Sequence, residues 1–364
     1  NLLPDYEPIL KLVAERVGAE GTDAFSLLTE IGRDCVGALQ FLPDGIAPQP
    51  LNQLTGTKLT DKDISDILLS LDVTPLGIRR ENDFRISIAG AQQKTALLFN
   101  DGRWIKPSGS TPTTHIIKPQ IGSLANGMDL SNSVENEYLC MKLMESFGLQ
   151  AAHVEIAQFN DRQALVIKRF DRKWTVKGSL IRLPQEDCCQ ALSVPPTRKY
   201  QNEGGPGIIE IMSILQGSDE PGKDRYDFFK AQILFWLMGA TDGHAKNFSL
   251  AQSSRGRFRM TPIYDVLSLQ PSFDNKRIPR KDFKMAMRVG DSNQYNVENI
   301  RGRHFSHTGI QSGLSRNAVD QIIEDISGTV DTALARTADA LPDKFPLSLY
   351  ESVSVAIKRR LQRL

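Results

Sequence analysis

Three residues in the second half of the chain have the types and the spacing that phosphoryl transfer requires. Asp242 is followed by Asn247 in an Asp-x4-Asn pattern, and Asp265 comes eighteen residues after Asn247. Phosphoryl transfer uses one carboxylate to orient a hydroxyl nucleophile, while an asparagine and a second aspartate hold Mg²⁺ against the phosphates. Protein kinases space their catalytic-loop aspartate and metal-binding asparagine in the same way. The sequence therefore predicts a kinase that uses ATP and Mg²⁺.

The elements around this pattern matter, because Asp and Asn are also common in turns and helix caps, where they bond their own backbone. Residues 224–239 are apolar on every side and predict a helix that is buried all round. This helix is shorter than the roughly 20 apolar residues that span a bilayer. A polar break at 242–244 follows it, and 257–264 predicts a strand leading into Asp265. This is the order of elements in a kinase C-lobe.

A phosphate-binding turn is predicted upstream, within FRISIAGAQQKTALLF at 84–99. We interpret this stretch as two strands around a small-residue turn at 87–94, since small side chains let backbone N–H groups approach an anion. An ordinary hairpin turn is the alternative, because the stretch contains a single glycine.

A lysine and a glutamate that could position the nucleotide follow this turn. The predicted strand 114–118 ends in Lys118, and Glu137 lies in a predicted helix at 133–147 that begins at a serine cap and stops at Gly148. A strand lysine paired with a helix glutamate positions ATP in kinases. Glu135 is a possible substitute for Glu137.

Several sequence blocks, in a fixed order along nearly the whole chain, resemble the HipA family of bacterial serine/threonine kinases, the toxins of HipBA toxin–antitoxin pairs. These blocks are LLTEIGRDCVGALQFLP, DFRISIAGAQQKTALL, TPTTHIIKP, NEYLCMKL, RFDRKW, LPQEDCCQ, GGPGI and GATDGHAKNFS. The resemblance implies an α+β, two-lobed protein-kinase-like fold, with a mixed α/β N-lobe and a mainly α-helical C-lobe. We place the N-lobe at 1–170 and the C-lobe at 171–364. Family members carry a small subdomain before this point, so we expect that it was removed, is disordered or is a separate chain.

The resemblance also assigns site residues. Asp242 matches the catalytic aspartate, Asn247 and Asp265 match the magnesium ligands, and Ser87 matches a serine whose autophosphorylation shuts the kinase off. The residues that would contact ATP are Ala89, Gly90, Ala91, Gln92, Gln93, Lys94, Lys118, Lys168, Arg169, Phe170, His244, Ala245, Lys246, Asn247, Tyr264 and Asp265. Lys168 departs from the family, which has an acidic residue there, so a backbone contact to adenine would survive this change and a side-chain contact would not.

The function implied by the resemblance is growth arrest and persistence through phosphorylation of a translation component such as an aminoacyl-tRNA synthetase. The implied partners are a HipB-like antitoxin and, through it, operator DNA. We expect a cytoplasmic protein that is associated with the nucleoid when it is bound to antitoxin and DNA. No membrane partner is expected.

The bulk composition agrees with an intracellular enzyme. The 364 residues are 40% hydrophobic and 24% charged, and the formal net charge of +1 gives no global attraction to nucleic acid or anionic lipid. The four cysteines lack metal-ligand spacing and are interpreted as reduced thiols.

One local charge excess lies at 276–303, which contains eight lysines and arginines against three acidic residues. A solvated loop face is the ordinary interpretation of such a run. The alternative is a surface that touches DNA phosphates or an acidic substrate.

Two other functional classes stay open at this point. A small-molecule kinase of the aminoglycoside phosphotransferase type shares the Asp-x4-Asn logic. A catalytically weak corepressor partner of HipB would have no need of ATP, but Lys118, Asp242, Asn247 and Asp265 are all present.

Overall fold

A computed structural model describes residues 2–78, 83–124 and 127–364. The α-helices of this part of the chain are α1 (Glu7–Val17), α2 (Ala24–Ile31), α3 (Asp61–Leu69), α4 (Ser133–Ser146), α5 (Cys188–Ala191), α6 (Ile208–Leu215), α7 (Pro221–Met238), α8 (Gln270–Asp274), α9 (Gly302–Gln311), α10 (Arg316–Asp339) and α11 (Leu347–Leu361).

The strands are β1 (Gly56–Leu59), β2 (Thr95–Asn100), β3 (Arg103–Pro107), β4 (His115–Pro119), β5 (Gly122–Ser123), β6 (Asp129–Leu130), β7 (Val154–Phe159), β8 (Arg162–Lys168), β9 (Arg172–Trp174), β10 (Leu180–Arg182), β11 (Gln185–Asp187), β12 (Ser249–Gln252), β13 (Phe258–Met260), β14 (Lys284–Val289) and β15 (Gln294–Asn296).

The chain divides into two compact units. Unit 1 comprises Asn1–Ile121 and His153–Glu186, and unit 2 comprises Gly122–Ala152 and Asp187–Leu364. These bounds differ from the predicted division at residue 170. Helix α4 belongs to unit 2 because it packs against α7 and α10. The segment after residue 170 stays with unit 1 because β9 and β10 carry arginines that bond to Asp34.

Unit 1 is built on a six-stranded sheet with the order β1-β3-β2-β4-β8-β7, in which neighbouring strands are antiparallel. Helices α1, α2 and α3 contribute side chains such as Val13, Leu27 and Ile64 to a core shared with Leu97 and Val166 of the sheet. Helix α3 begins at a capping box in which Thr60 and Asp63 each bond to the other's backbone N–H.

The predicted strand over the first half of 84–99 is wrong, because strand structure begins at Thr95. Phe84, Ile86 and Ile88 alternate as a strand would, and all three are buried in the core of unit 1. The backbone between them is paired differently, since the Ser87 N–H donates to the Asp34 carbonyl at 3.0 Å. The alternation of apolar residues therefore indicates that one side of this segment is buried, but it does not show that the segment is a strand of the sheet.

A buried network of charged side chains joins distant parts of unit 1. Asp34 accepts hydrogen bonds from Arg169, Arg172 and Arg182, and Asp171 accepts from Arg169 and Arg172. Because each carboxylate has several cationic donors, the network offsets the cost of taking these charges out of water.

Unit 2 is mainly helical and is organised around α7. This helix has Pro221 in its first turn and ends at Gly239, which has a φ of 70° that a glycine adopts without strain. Every residue from Phe228 to Met238 is buried, so the predicted core helix is confirmed. Helix α4 confirms the predicted helix at 133–147, and its Tyr138 hydroxyl donates to the Ala340 carbonyl at 2.9 Å.

The basic segment at 276–303 is only partly a loop, since it contains the paired strands β14 and β15. The three consecutive apolar residues of β14, Met285, Ala286 and Met287, are buried, and the charged residues of this strand lie on either side of them. Of the eight basic residues, Arg288 is half-buried and the others are exposed, namely Lys276, Arg277, Arg280, Lys281, Lys284, Arg301 and Arg303.

Candidate active site

Asp242 lies on the loop that follows α7. Its side chain is 59% exposed, and one of its carboxylate oxygens, Oδ1, accepts a hydrogen bond from the Tyr200 hydroxyl. The other oxygen, Oδ2, lies 4.0 Å from Nε2 of His244. An exposed carboxylate on a loop that follows the buried end of a helix can approach an acceptor molecule.

Asn247 is held against the backbone of Asp242. Its N–H donates to the His244 carbonyl at 2.9 Å, and its side-chain Nδ2 donates to the Asp242 carbonyl at 2.9 Å. Since the amide nitrogen is used in this way, the amide oxygen Oδ1 points away from the Asp242 carbonyl. An asparagine oxygen that is directed by its own nitrogen is suited to bind a cation.

Tyr264 ties the segment before Asp265 to the segment around Asn247. Its hydroxyl donates to the Lys246 carbonyl at 2.8 Å and lies 2.6 Å from Oγ of Ser249. The next residue, Asp265, has a φ of 60°, a left-handed conformation that aspartate tolerates better than most residues. The Tyr264 hydroxyl therefore links the segment that carries Asp265 to the segment that carries Asn247.

His244 interacts electrostatically with both Asp242 and Asp265. Burial lowers the pKa of its imidazole, and the negative charges of Asp242 and Asp265 oppose that effect. Within the described residues, its buried Nδ1 has no hydrogen-bond partner. Buried polar atoms are nearly always paired, so an unpaired one is a place where a ligand can bind.

Lys246 and Ala245, which we predicted near the nucleotide, are both buried in unit 2. The Lys246 ammonium lies 3.4 Å from Oδ2 of Asp187, the residue that caps α5. This ion pair directs the ammonium toward the interior of unit 2. The part of Lys246 that serves the site is its carbonyl, which receives the Tyr264 hydroxyl.

The predicted phosphate-binding turn in unit 1 is closed by one of its own residues. Gly90 has a φ of 105°, and Nζ of Lys94 donates to the Ala89 carbonyl at 2.8 Å. A Cβ on Gly90 would lie 2.4 Å from that Nζ, which the flexible lysine side chain can move, so it is the backbone conformation that favours glycine here. Gln92 is half-buried, while Ala91 and Gln93 are exposed.

The other predicted nucleotide residues of unit 1 lie on β4 and at the end of β8. Lys118 is buried on β4, opposite Leu165. The Lys168 side chain is exposed, Phe170 is half-buried, and the Arg169 guanidinium is buried in the charged network. Arg169 could therefore contact a nucleotide only through its backbone.

Three further predicted residues are buried. Ser87 is completely buried, and its hydroxyl donates to the Leu2 carbonyl at 3.0 Å. Glu135 and Glu137 are both buried in α4 of unit 2, whereas Lys118 belongs to unit 1. The lysine–glutamate pair stays a prediction.

Sequence reasoning missed Tyr200 and Asp187. The only signal for Tyr200 is a single tyrosine in a glycine- and proline-containing loop, KYQNEGGPG. Asp187 carries a helix-cap pattern, with Gln190 three residues later, which indicates a local role and not its pairing with Lys246.

The described residues contain no group of three or more His, Cys, Asp or Glu side chains that could hold a metal ion. Mg²⁺ does not require one, because it binds proteins through one or two carboxylates and completes its shell with water and phosphate oxygens. Asn247 and Asp265 provide an amide oxygen and a carboxylate, so the residues fit this ion. In the same part of the chain, no helix is long and apolar enough to cross a membrane.

Comparison with known proteins identifies the family. The HipA-like C-terminal domain matches residues 86–334, and the HipA N-terminal domain matches residues 1–42. The putative kinase Y4mE of Sinorhizobium fredii is 33% identical over 100% of this chain and 84% of its own length. The serine/threonine-protein kinase toxin HipA of Shewanella oneidensis is 26% identical over 98% of this chain and 79% of its own length.

The fold is also that of a solved structure. The Shewanella oneidensis HipA in a complex with HipB and operator DNA matches with a TM-score of 0.80 and 24% identity, over 100% of this chain and 83% of that one. The predicted fold class, α+β and kinase-like, is confirmed by this match. A kinase takes its phosphoryl group from ATP, so the use of ATP follows from the relatives. The chain belongs to the HipA family, and the enzyme class predicted from its sequence, a serine/threonine protein kinase, is confirmed.

Proposed function

We propose that this kinase is the toxin of a toxin–antitoxin pair and arrests growth by phosphorylating a serine or threonine of a translation component, such as an aminoacyl-tRNA synthetase. One observation carries the catalytic part of this proposal. The exposed carboxylate of Asp242 stands on a loop whose backbone is bonded to Asn247, and Tyr264 links that loop to the residue before Asp265. The three residues that phosphoryl transfer needs thus stand on segments that one set of hydrogen bonds joins.

In this function Asp242 orients the substrate hydroxyl and accepts its proton. The amide oxygen of Asn247 and the carboxylate of Asp265 hold Mg²⁺, which neutralises charge on the phosphates when it is bound. His244 offers its unpaired Nδ1 to the nucleotide. Positioning and charge stabilisation of this kind account for nearly all of the catalysis in phosphoryl transfer.

Unit 1 supplies residues for the nucleotide phosphates and the adenine. Lys118 and the turn formed by Ala89, Gly90, Ala91, Gln92, Gln93 and Lys94 contact the phosphates. For Lys94 to do so, its ammonium must exchange the Ala89 carbonyl for a phosphate oxygen, a stronger acceptor because it is charged. The backbone at Lys168, Arg169 and Phe170 lies next to the adenine, since the Arg169 side chain is used within unit 1.

A protein is the substrate class that the site favours. An acceptor carboxylate that is 59% exposed can meet a serine on the surface of a large molecule. Kinases of small alcohols instead enclose their substrates in concave pockets, as small-molecule sites generally do. The family supports a translation component as the target.

The partners proposed here are a HipB-like antitoxin and, through it, operator DNA. The support is the fold shared with the Shewanella oneidensis HipA, which was solved with HipB and operator DNA. The exposed basic residues of 276–303 add phosphate contacts that position the complex without reading its sequence. The protein is cytoplasmic and joins the nucleoid when it is bound to antitoxin and DNA.

Autophosphorylation of Ser87 acts as an off-switch. Because Ser87 is completely buried, a phosphate cannot be accommodated unless the segment around it leaves its packed position. That movement would carry away the turn at 89–94, and ATP affinity would fall.

The test is the rate of phosphate transfer by Asp242→Ala, with Asp320→Ala as a matched control because Asp320 is an exposed aspartate of α10 in the same unit. We expect Asp242→Ala to keep ATP binding and to lose about 10²- to 10⁴-fold in transfer, the usual cost of removing a positioned proton acceptor. Wild-type transfer by Asp242→Ala would overturn the assignment. Phosphoproteomics of cells that express the wild-type chain or Asp242→Ala would identify the substrate.

A further inference from the structure

The Tyr200 hydroxyl donates a hydrogen bond to Oδ1 of Asp242, the residue assigned above as the proton acceptor. A substrate serine would donate its hydroxyl to the same carboxylate. Two roles for Tyr200 are therefore compatible with this contact. The phenol could hold the carboxylate in place for the substrate, or it could occupy the substrate's own position.

The loop that carries Tyr200 is fixed at several points within unit 2. The Tyr200 carbonyl accepts hydrogen bonds from the N–H groups of Glu203 and Gly205, and Oε1 of Gln201 accepts from the Arg288 N–H. A side chain that had to leave for each substrate would sit on a segment with fewer such bonds. The anchoring favours a tyrosine that stays in place.

The ring of Tyr200 is held as well. It meets the imidazole of His244 edge to face, with ring centroids 5.0 Å apart and an interplanar angle of 80°. Aromatic pairs prefer this arrangement. Because His244 is buried, the contact sets the direction of the Tyr200 hydroxyl from a rigid part of the unit.

Asp242 needs such a partner because its side chain is 59% exposed. An exposed carboxylate rotates among several conformers, and only some of them point an oxygen at a given acceptor hydroxyl. A fixed donor on Oδ1 removes that freedom and leaves Oδ2 for the substrate. Hydrogen bonds to a charged oxygen are about twice as strong as neutral ones, which suits this purpose.

We propose that Tyr200 is a positioning residue of the kinase, which holds the Asp242 carboxylate through Oδ1 so that Oδ2 accepts the substrate hydroxyl. This proposal rests on the proposed function of Asp242. It assigns a catalytic purpose to the KYQNEGGPG loop at 199–207.

The experiment compares Tyr200→Phe with the wild-type chain, since phenylalanine keeps the ring contact with His244 and removes only the hydroxyl. Transfer from radiolabelled ATP is measured with myelin basic protein as the probe, and label released as phosphate is counted together with label on protein. We expect kcat to fall about 10- to 100-fold, the value of one hydrogen bond to a charged group. The KM for ATP and the affinity for a fluorescent ATP analogue should stay within about twofold of wild type.

Tyr226→Phe is the matched control. Tyr226 also belongs to unit 2 and also donates its hydroxyl to a carboxylate, that of Asp325. It is outside the proposed site, so this variant should turn over at the wild-type rate. A fall common to both tyrosine variants would show a general loss of structure and would overturn the proposal.

Three other results would decide against the proposal. A wild-type kcat in Tyr200→Phe would show that Asp242 needs no positioning donor, and a raised kcat would show that the phenol blocks the substrate. If Tyr200→Phe lowers the rate further in an Asp242→Ala background, the hydroxyl acts on something other than Asp242. Full activity of Asp242→Ala alone would instead contradict the proposed function, so the two failures are distinguishable.

Discussion

Asp34 accepts a 2.9 Å hydrogen bond from Nη2 of Arg172, although the two residues are separated by 138 positions in the sequence. Burial alone would raise the pKa of Asp34, but Arg172, Arg169 and Arg182 outweigh burial and hold that pKa well below its usual range. The carboxylate is therefore ionised at neutral pH. Its charge fastens the segment after α2 to the segment after β8.

Asp34→Asn should strongly destabilise unit 1. The variant keeps the shape of the side chain but leaves Arg169 and Arg172 with Asp171 as their remaining carboxylate in the network, and it removes the carboxylate to which Arg182 bonds. Removing one partner of a buried ion pair costs about 3 to 5 kcal/mol. Urea unfolding followed by circular dichroism should show this loss, and Asp66→Asn should change stability by less than about 0.5 kcal/mol because its pair with Lys62 is exposed. Equal stabilities of the two variants would contradict this role for the network.

Asp265→Asn should weaken the Mg²⁺-dependent part of ATP binding. An amide is a poorer ligand for Mg²⁺ than a carboxylate, since it lacks the charge that offsets the cost of dehydrating this ion. Calorimetric titration with ATP in the presence of Mg²⁺ or of EDTA should show a large difference for the wild-type chain and a small one for Asp265→Asn. If Mg²⁺ changes nucleotide affinity equally in both proteins, Asp265 does not bind the metal.

Phosphorylation at Ser87 should expose the segment at 83–94. A phosphate adds roughly −1.5 to −2 charges at a completely buried position whose hydroxyl bonds to the Leu2 carbonyl. Hydrogen exchange should therefore rise across the segment in protein incubated with Mg·ATP, ATP affinity should fall, and a phosphatase should restore both. Ser87→Ala should keep the unphosphorylated exchange pattern under the same treatment. Unchanged exchange in protein that carries the phosphate would exclude the switch.

Reversing four exposed charges of the basic segment should weaken DNA binding by the toxin–antitoxin complex. In a variant with Lys276, Arg277, Arg280 and Lys281 changed to Glu, each lost phosphate contact should flatten the slope of log affinity against log salt by about 0.9. The control variant, Lys173→Glu with Lys177→Glu, reverses exposed lysines in unit 1. An unchanged slope would show that the basic segment is a solvated surface that makes no contact with DNA phosphates.

His115 should make the protein less stable in mild acid. Burial, with help from the positive charges of Lys168 and His153, lowers the pKa of His115 to about 4. Unfolding restores a pKa near 6.5, so the unfolded chain binds the additional proton and stability falls as the pH is lowered from 6.5 to 4. We expect this group to cost about 2 kcal/mol across that range, allowing for its partial exposure. His115→Phe should remove that part of the pH dependence in urea titrations, and an identical dependence in both proteins would contradict the assignment.

The sequence predicted best those features that depend on neighbouring residues. The apolar run of α7 and the glycine that follows α4 are local patterns, and both helices are present. The predicted serine cap of α4 is wrong, because Asn132 is the N-cap residue and makes no side-chain cap hydrogen bond. The first of the two strands predicted within 84–99 is wrong, because the alternating residues Phe84, Ile86 and Ile88 are buried in the core of unit 1 although their segment is not part of the sheet. The pattern of apolar residues along a segment predicts which side of the segment is buried, but it does not predict the hydrogen-bond partners of the segment's backbone.

The contacts that support the site could not be predicted in this way. Tyr200 and Asp242 are separated by 42 positions, and Asp187 and Lys246 by 59. Arg169 was assigned beside the nucleotide from its block, whereas its guanidinium bonds to Asp34 and Thr113. Pairs of this kind form only in the tertiary structure, so they cannot be inferred from the charge and spacing of residues along one sequence.

The interruption of unit 1 by residues 122–152 has a consequence for how the protein is made. On the ribosome, β4 emerges before β8, its neighbour in the sheet, and Asp34 emerges long before the arginines of 169–182. The first 121 residues therefore cannot complete their fold alone, because a central sheet position and the cations for a buried carboxylate are still missing. We expect unit 1 of the nascent chain to stay unfinished until translation has passed residue 182 and its arginine has left the exit tunnel.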